Sequence, residues 1–162
     1  MADSSFDVVS DFDQQELVNA LDQVRREVAT RYDFKGARVS LEVGKDEITL
    51  HADDEFRAGS VKDLIETKAV RRGLSLKVFD WGRLEPAAGG TVRQRIGLHR
   101  GLTSEQAKEI AKLVREQFPK VKPAIQGDAV RVSGKSKDEL QGVISHLRGL
   151  DYAVALQFIN YR

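Results

Sequence analysis

Three arginine side chains in the second half of the chain are best placed to do chemistry, and that chemistry is the binding of phosphate groups. Arg93 and Arg95 alternate with other residues in one predicted strand, 91–99, and Arg131 lies between two valines in another, 129–133. A guanidinium group can hold a phosphate through two parallel hydrogen bonds. We expect the two strands to be neighbours in one sheet, so that the three side chains face one anion.

A second candidate lies where a predicted strand turns into a helix, at Gly134-Lys135-Ser136. The N–H groups at a helix N-terminus and the adjacent Lys135 make a general anion site. The segment is not a P-loop, because the nearest preceding glycine, Gly127, lies seven positions before Gly134, further than that motif allows. An ordinary serine cap is the alternative interpretation.

Two aromatic residues beside cations suggest base stacking. Trp81 ends the predicted strand 74–81, on the same face as Lys77 and Phe79. These rings could stack a base, or they could seal the interface between the two halves of the chain.

The other aromatic candidate is Phe34, which lies between Arg31 and Lys35 after the first predicted helix. Its ring could stack a base while Arg31 or Lys35 binds a phosphate. The alternative is a helix end whose aromatic residues pin it to the sheet, with Gly36 supplying a positive φ.

No motif for catalysis or metal binding is present in the sequence. The chain has no cysteine, which excludes disulfides, thiol chemistry and Cys-bound metals. Its three histidines are far apart without zinc-binding spacing, and no G-x-S-x-G nucleophile motif occurs. We therefore expect no enzymatic activity, no metal and no cofactor.

Location is predicted from what the sequence lacks. The apolar runs are too short to span a bilayer, and the acidic N-terminus has no apolar segment of a secretory signal. We expect a cytoplasmic protein without membrane contact.

Charge is divided unevenly along the 162 residues, although the net charge is only +1. Residues 1–85 carry 13 Lys/Arg and 18 Asp/Glu, whereas residues 86–162 carry 13 and 7. An anionic ligand should therefore meet mainly the second half. Simple attraction between the halves is the alternative.

The spacing of apolar residues repeats one order of elements twice, and the 41% hydrophobic content is enough for packed cores. Helical and alternating patterns predict β-α-β-β-α-β over residues 1–82 and again over 91–162, with a linker at 83–90. This order predicts an α+β fold with two ferredoxin-like repeats. Because each repeat is small, we expect the two to pack together or exchange strands. The last strand, about 153–161, is apolar on both faces and should be central and buried.

Several strings resemble the bacterial YajQ family, and they occur in order along essentially the whole chain. That resemblance implies two ferredoxin-like repeats that exchange their N-terminal strands, and binding of nucleotides or nucleic acids. It also implies that some members act as effectors of cyclic di-GMP. The strings are Ser5-Phe6-Asp7-Val8-Val9-Ser10, Arg31-Tyr32-Asp33-Phe34-Lys35-Gly36, Ile125-Gln126-Gly127-Asp128, Arg131-Val132-Ser133-Gly134-Lys135, Asp138-Glu139-Leu140-Gln141 and Gln157-Phe158-Ile159-Asn160-Tyr161-Arg162.

Our leading prediction is a nucleotide- or nucleic-acid-binding protein without catalytic activity, whose ligand is GTP, ATP, cyclic di-GMP or RNA. The first alternative is a cyclic di-GMP sensor that relays its signal to a protein or DNA partner. The second is a protein-interaction adaptor. The sequence leaves the oligomeric state open. The expected binding residues are Arg93, Arg95, Arg131, Lys135, Arg31, Phe34, Lys35 and Trp81.

Overall fold

The computed structural model describes residues 3–162, and its elements follow the predicted order, with β-α-β-β-α-β occurring twice. The helices are α1 (Gln14–Thr30), α2 (Glu55–Arg71), α3 (Ser104–Gln117) and α4 (Lys137–Arg148). The strands are β1 (Ser4–Val9), β2 (Ser40–Val43), β3 (Glu47–Ala52), β4 (Phe79–Pro86), β5 (Val92–Leu98), β6 (Lys122–Gln126), β7 (Ala129–Gly134) and β8 (Gln157–Ile159).

The helices begin at the residues whose side chains can accept the free N–H groups of a first turn. Asp13 accepts from the N–H groups of Gln15 and Glu16 at the start of α1. Thr103 and Gln106 form a reciprocal capping box at the start of α3. Ser136 accepts from Glu139 at the start of α4, so the serine cap expected there is present.

The strands form two four-stranded antiparallel sheets, in the orders β6-β7-β1-β8 and β2-β3-β5-β4. β1 pairs with β7 and β8 of the second repeat, and β5 pairs with β3 and β4 of the first. The opening strand of each repeat therefore lies in the sheet of the other. The two ferredoxin-like repeats and their strand exchange are confirmed.

Burial explains why the exchanged β1 is held firmly in its sheet. Phe6 and Val8 point to the helix side and are almost completely buried, and Val8 lies opposite both Val130 and Phe158. Full burial of a side chain of this kind contributes about 1.5–3 kcal/mol. Asp7, between them, points to the opposite face of the sheet, because successive strand residues alternate.

Because of the exchange, the compact units of the structure differ from the repeats of the sequence. Unit 1 combines β1 and its flank to Asp11 with Arg100–Arg162, and unit 2 is Phe12–His99. Residues 1–11 and 100–162 together carry 11 Lys/Arg and 10 Asp/Glu, and residues 12–99 carry 15 of each. The charge asymmetry along the sequence therefore does not become an asymmetry between units.

Each unit has its own apolar core. The unit 2 core is built from α1, α2 and the helix side of its sheet, with Leu21, Ile65 and Ile96 fully buried. The unit 1 core is built from α3, α4 and its sheet, with Phe6 and Ile110 at most 1% exposed.

Two strand predictions were wrong. β8 is a short edge strand rather than a central one, because it pairs with β1 on one side only and β7 occupies the other side of β1; Ile159 is exposed. The strand predicted over 74–81 starts only at Phe79, after a 3-10 turn at Leu76–Val78. β4 then continues through a bulge to Pro86, so it includes residues 83–86 of the segment expected to be a linker.

Candidate functional site

The three arginines predicted to face one anion lie in two different sheets. Arg93 and Arg95 are on β5, which pairs with β3 and β4 in unit 2. Arg131 is on β7 in unit 1. The prediction that their strands are neighbours is wrong, because β1 takes the position beside β7 that the unexchanged repeat would give to β5.

The β5 arginines are already paired with carboxylates of neighbouring strands. Arg93 Nη2 lies 2.7 Å from Glu85 Oε2 on β4, and its hydrogen bond lowers the pKa of that carboxyl. Arg95 Nε lies 3.8 Å from Glu47 Oε1 on β3. A phosphate that binds either guanidinium would have to displace its carboxylate.

Arg131 belongs to a clamp that we define as Asp7, Arg131 and Asn160. Arg131 Nε donates to Asp7 Oδ1 at 2.9 Å, and Asn160 Nδ2 donates to Asp7 Oδ2 at 2.8 Å. Asp7 is only 7% exposed, and the hydrogen bond from Arg131, with that from Asn160, lowers its pKa. The same bond raises the pKa of Arg131. The clamp connects β1 to β7 and to the residue after β8, which gives Arg131 a structural role.

The segment after α1 forms a 3-10 turn, Tyr32–Phe34, in unit 2. Arg31 is paired with Asp33 through Nε and Nη2, at 3.0 and 2.9 Å, and its guanidinium carbon lies 5.6 Å from the centroid of the Phe34 ring. Phe34 is only 4% exposed and packs in the unit 2 core, so its ring is not open for stacking a base. The turn therefore matches the alternative interpretation, in which aromatic packing pins the end of α1.

Lys35 nevertheless lines a cleft of about 580 Å³ between α1 and β2. The only other cation of that cleft is Arg25, which contacts Asp22 at 2.7 Å and the carbonyl oxygen of Leu41 at 2.7 Å. Most of the remaining lining is apolar. This cleft of unit 2 is the rival site for an anionic ligand.

Trp81 packs against the unit 2 core rather than standing on an open face. Its partners across the sheet and along the strand are Ile96 and Phe79, and both of these are buried. The centroids of the Phe79 and Trp81 rings are 5.8 Å apart, and Lys62 Nζ lies 4.9 Å from the Trp81 ring centroid. Phe79 and Trp81 therefore lie on the helix side of the sheet, where the predicted strand register did not place them.

Lys135 lies in a different environment, a cleft of about 390 Å³ in unit 1. Lys120 precedes β6, and Lys122 is the first residue of that strand. Lys122 lies opposite Ser133 of the paired strand β7, and Lys135 follows directly after the end of β7. The antiparallel pairing therefore brings the three lysines to one end of the sheet, beside the first turn of α4. We call this the lysine cleft; its lining is Asp3, Lys120, Val121, Lys122, Gly134, Lys135, Ser136 and Glu139.

The lysine cleft differs from the arginine positions in its electrostatics. Among residues 3–162, no carboxylate lies within ion-pair distance of Lys120, Lys122 or Lys135. Asp3 and Glu139 line the cleft as well, so its formal charge is +1. The N-terminal N–H groups of α4 add to the preference for an anion.

Lys120 and Lys122 were not among the expected binding residues. Their signal in the sequence is the spacing Lys120-Val121-Lys122, in which two lysines stand on either side of a buried valine just where β6 begins. The pairing of this strand with the one that ends at Gly134-Lys135 was already part of the predicted fold. Considering both together would have indicated the cluster.

No group of three or more His, Asp or Glu side chains in residues 3–162 is arranged to hold a metal ion. Over the same residues, no helix has the length and hydrophobicity needed to cross a membrane.

Comparison with known proteins gives one consistent result. A family model described as "Nucleotide-binding protein YajQ-like" matches residues 4–162. A "Nucleotide-binding protein" of Chloroflexus aggregans is 59% identical over 162 residues, which cover 99% of this chain and 98% of the relative. A "Nucleotide-binding protein" of Trichodesmium erythraeum is 54% identical over 159 residues, 98% of each chain. One from Synechococcus elongatus is 56% identical, again over 98% of each chain.

Proposed function

The chain belongs to the YajQ-like family of nucleotide-binding proteins, and we propose that it binds a nucleotide by its phosphate groups in the lysine cleft. The family and the names of the related proteins support a nucleotide as the ligand. The position of the site is supported by the convergence of Lys120, Lys122 and Lys135 in one cleft without ion-pair partners among the described residues. That convergence is the observation on which the proposal rests.

The four arginines among the expected binding residues differ from the three lysines of the lysine cleft, and this difference supports placing the site in that cleft. Arg31, Arg93, Arg95 and Arg131 each have a carboxylate within 4 Å. A phosphate gains less from a cation whose charge is already compensated, and it must also separate the existing pair. An ammonium group without such a partner keeps its full attraction for an anion, and a lysine is a common phosphate ligand in proteins.

We further propose binding without turnover, in the cytoplasm. Lysines at a helix N-terminus supply charge and hydrogen bonds to a phosphate, which is what binding needs. The names of the related proteins describe binding and mention no reaction.

The proposed ligand is GTP, ATP, cyclic di-GMP or RNA, and the dependence of affinity on salt concentration distinguishes RNA from the other three. Binding of RNA through several phosphates releases counterions, so its affinity should fall steeply with salt concentration. A mononucleotide or a cyclic dinucleotide in a formed cleft should show a shallow slope. Titrations of the full chain with an RNA oligonucleotide, GTP, ATP and cyclic di-GMP at two salt concentrations decide between them. Affinity for cyclic di-GMP alone would favour the sensor, and no affinity for any ligand would favour the adaptor.

The site is tested by Lys122→Ala, Lys135→Ala and the double variant, with calorimetry of nucleotide binding. Each single variant should weaken binding about 10- to 150-fold, as expected for the loss of one hydrogen bond to a charged group. The matched control is Lys108→Ala, an exposed lysine on α3 of the same unit that does not line the cleft. Normal binding by the double variant, together with a loss in Lys35→Ala, would place the site in the rival cleft of unit 2.

A further inference from the structure

A second cleft of unit 1, of about 290 Å³, lies beside the lysine cleft and contains the residues a base needs. It lies between the start of β1, one side of α4 and the segment after β8. Its lining is Ser4, Ser5, Phe6, Lys137, Leu140, Gln141, Ile144, Tyr161 and Arg162. We call it the tyrosine cleft.

The two clefts share a wall. Asp3 lines the lysine cleft and Ser4 the tyrosine cleft, while Ser136 lines the first and Lys137 the second. Consecutive residues therefore line the two clefts at the start of β1 and at the start of α4. The two clefts adjoin each other at these two places.

Tyr161 gives the cleft an exposed aromatic ring. Its side chain is 58% exposed, and its ring centroid lies 6.2 Å from that of Phe6, which is buried and fixes the floor of the cleft. An aromatic face that is both exposed and held in position is a platform for a nucleic-acid base.

The backbone on both sides of Tyr161 is fixed by hydrogen bonds. Asn160 has a φ of +57°, and its side chain donates to Asp7, which sets the turn before Tyr161. After it, the N–H of Arg162 donates to the carbonyl oxygen of Ser5 at 3.0 Å, and the N–H of Ser5 donates back at 3.2 Å. The platform is therefore held by the exchanged strand itself.

The polar groups around the ring suit a base joined to a charged sugar phosphate. The Gln141 amide and the Ser4 hydroxyl both donate and accept, as the edge of a base requires. Lys137 and Arg162 have no carboxylate within ion-pair distance in the part of the chain that the structure describes. The cleft contains no acidic side chain.

We propose that the tyrosine cleft binds the base of the nucleotide, stacked on Tyr161, while the lysine cleft holds its phosphates. The inference rests on the proposed function and adds that the ligand must carry a base. Tripolyphosphate should then bind only through the lysine cleft, and GTP or ATP through both.

The experiment compares GTP, ATP and tripolyphosphate on the full chain and three variants by calorimetry. Tyr161→Ala should weaken GTP or ATP binding about 5- to 100-fold, the effect of losing one stacking platform, and leave tripolyphosphate binding unchanged. Tyr161→Phe should bind like the wild type, because it keeps the ring. The control is Tyr32→Ala, which removes an 88% exposed ring of unit 2.

Each result separates the two proposals. Unchanged nucleotide binding in Tyr161→Ala, or an equal loss for tripolyphosphate, would overturn the base cleft. A loss in Tyr32→Ala instead would place the base in unit 2. Tripolyphosphate binding that is insensitive to Lys122→Ala and Lys135→Ala would overturn the lysine cleft, whatever happens at Tyr161. Failure of these three ligands, and of cyclic di-GMP and RNA as well, to bind would overturn both.

Discussion

The clamp of Asp7, Arg131 and Asn160 should be one of the largest polar contributions to the stability of unit 1, and Asp7→Ala tests it. The substitution removes the acceptor of two short hydrogen bonds, 2.9 and 2.8 Å, and of a longer one at 3.4 Å. Loss of one partner of a fully buried ion pair costs about 3–5 kcal/mol. The Arg131 side chain is 31% exposed and can reach water in the variant. We therefore expect a loss of about 2–3 kcal/mol in the free energy of unfolding.

Asp33→Ala is the matched control. Arg31 contacts Asp33 through the same two atoms, Nε and Nη2, at 3.0 and 2.9 Å, but both side chains are more than 40% exposed. Exposed ion pairs contribute less than about 1 kcal/mol. Urea unfolding is followed by the NMR amide signals of Phe6 and Val8 for unit 1 and of Leu21 and Ile65 for unit 2, so each variant is measured in its own unit. An equal loss in the two variants would refute the reasoning from burial.

The clamp should also depend on pH. Hydrogen bonds from Arg131, and then Asn160, hold the pKa of Asp7 below its ordinary value of 3.8. The ionised carboxylate therefore stabilises the folded chain, fully above its unfolded pKa of about 3.9, and less as pH falls through the folded pKa. The difference in stability between the wild type and Asp7→Asn should be largest near neutral pH and shrink in acid. A constant difference down to the acid limit would contradict this assignment.

Two further predictions concern single residues away from the clefts. Burial, together with a hydrogen bond to Glu109, raises the pKa of Tyr152 to about 12. An ultraviolet titration should therefore show a phenol that ionises near pH 12 in the wild type and is absent from Tyr152→Phe. The same titration curve for the two proteins near pH 12 would refute this prediction. Gly82→Ala would place a Cβ 2.5 Å from the carbonyl oxygen of Arg95 at the β4 bulge, and should destabilise the chain by about 1–3 kcal/mol. Gly59 lies in α2 with open space around it, so Gly59→Ala should stabilise the chain by about 0.5–1 kcal/mol. A change of the same sign in both glycine variants would contradict these two predictions.

The sequence was sufficient for the elements and for their repeated order. Helical spacing located α1, α3 and α4, and the serine cap interpreted at Ser136 is present, because helical periodicity and capping are local chemistry.

The partners of each strand could not be obtained from local patterns. Whether β5 pairs inside its own repeat or in the other one leaves its alternation unchanged, so Arg93 and Arg95 kept the same expected face in both cases. The small size of each repeat left packing and strand exchange as alternatives, and the resemblance to the YajQ family indicated exchange of the N-terminal strands. The error in grouping Arg131 with the β5 arginines follows directly from the unexchanged pairing.

The candidate site was partly accessible from the sequence. Lys135 was found because it lies at a strand-to-helix junction, which is a local feature. Lys120 lies 15 residues before Lys135 and Tyr161 lies 26 residues after it, so only the fold brings them near it. The carboxylates that neutralise Arg93 and Arg131 also come from other strands, and no spacing in the sequence shows that pairing.

The most direct test of the nucleotide site is a map of amide shifts in the ¹⁵N-labelled full chain as GTP, ATP, cyclic di-GMP and RNA are added in turn. If the lysine cleft is the nucleotide site, the ligand with measurable affinity should shift the amide signals of Lys122, Lys135 and Ser136 most, because these residues line that cleft. Shifts confined to Lys35 and its neighbours in unit 2, with those three signals unmoved, would contradict it.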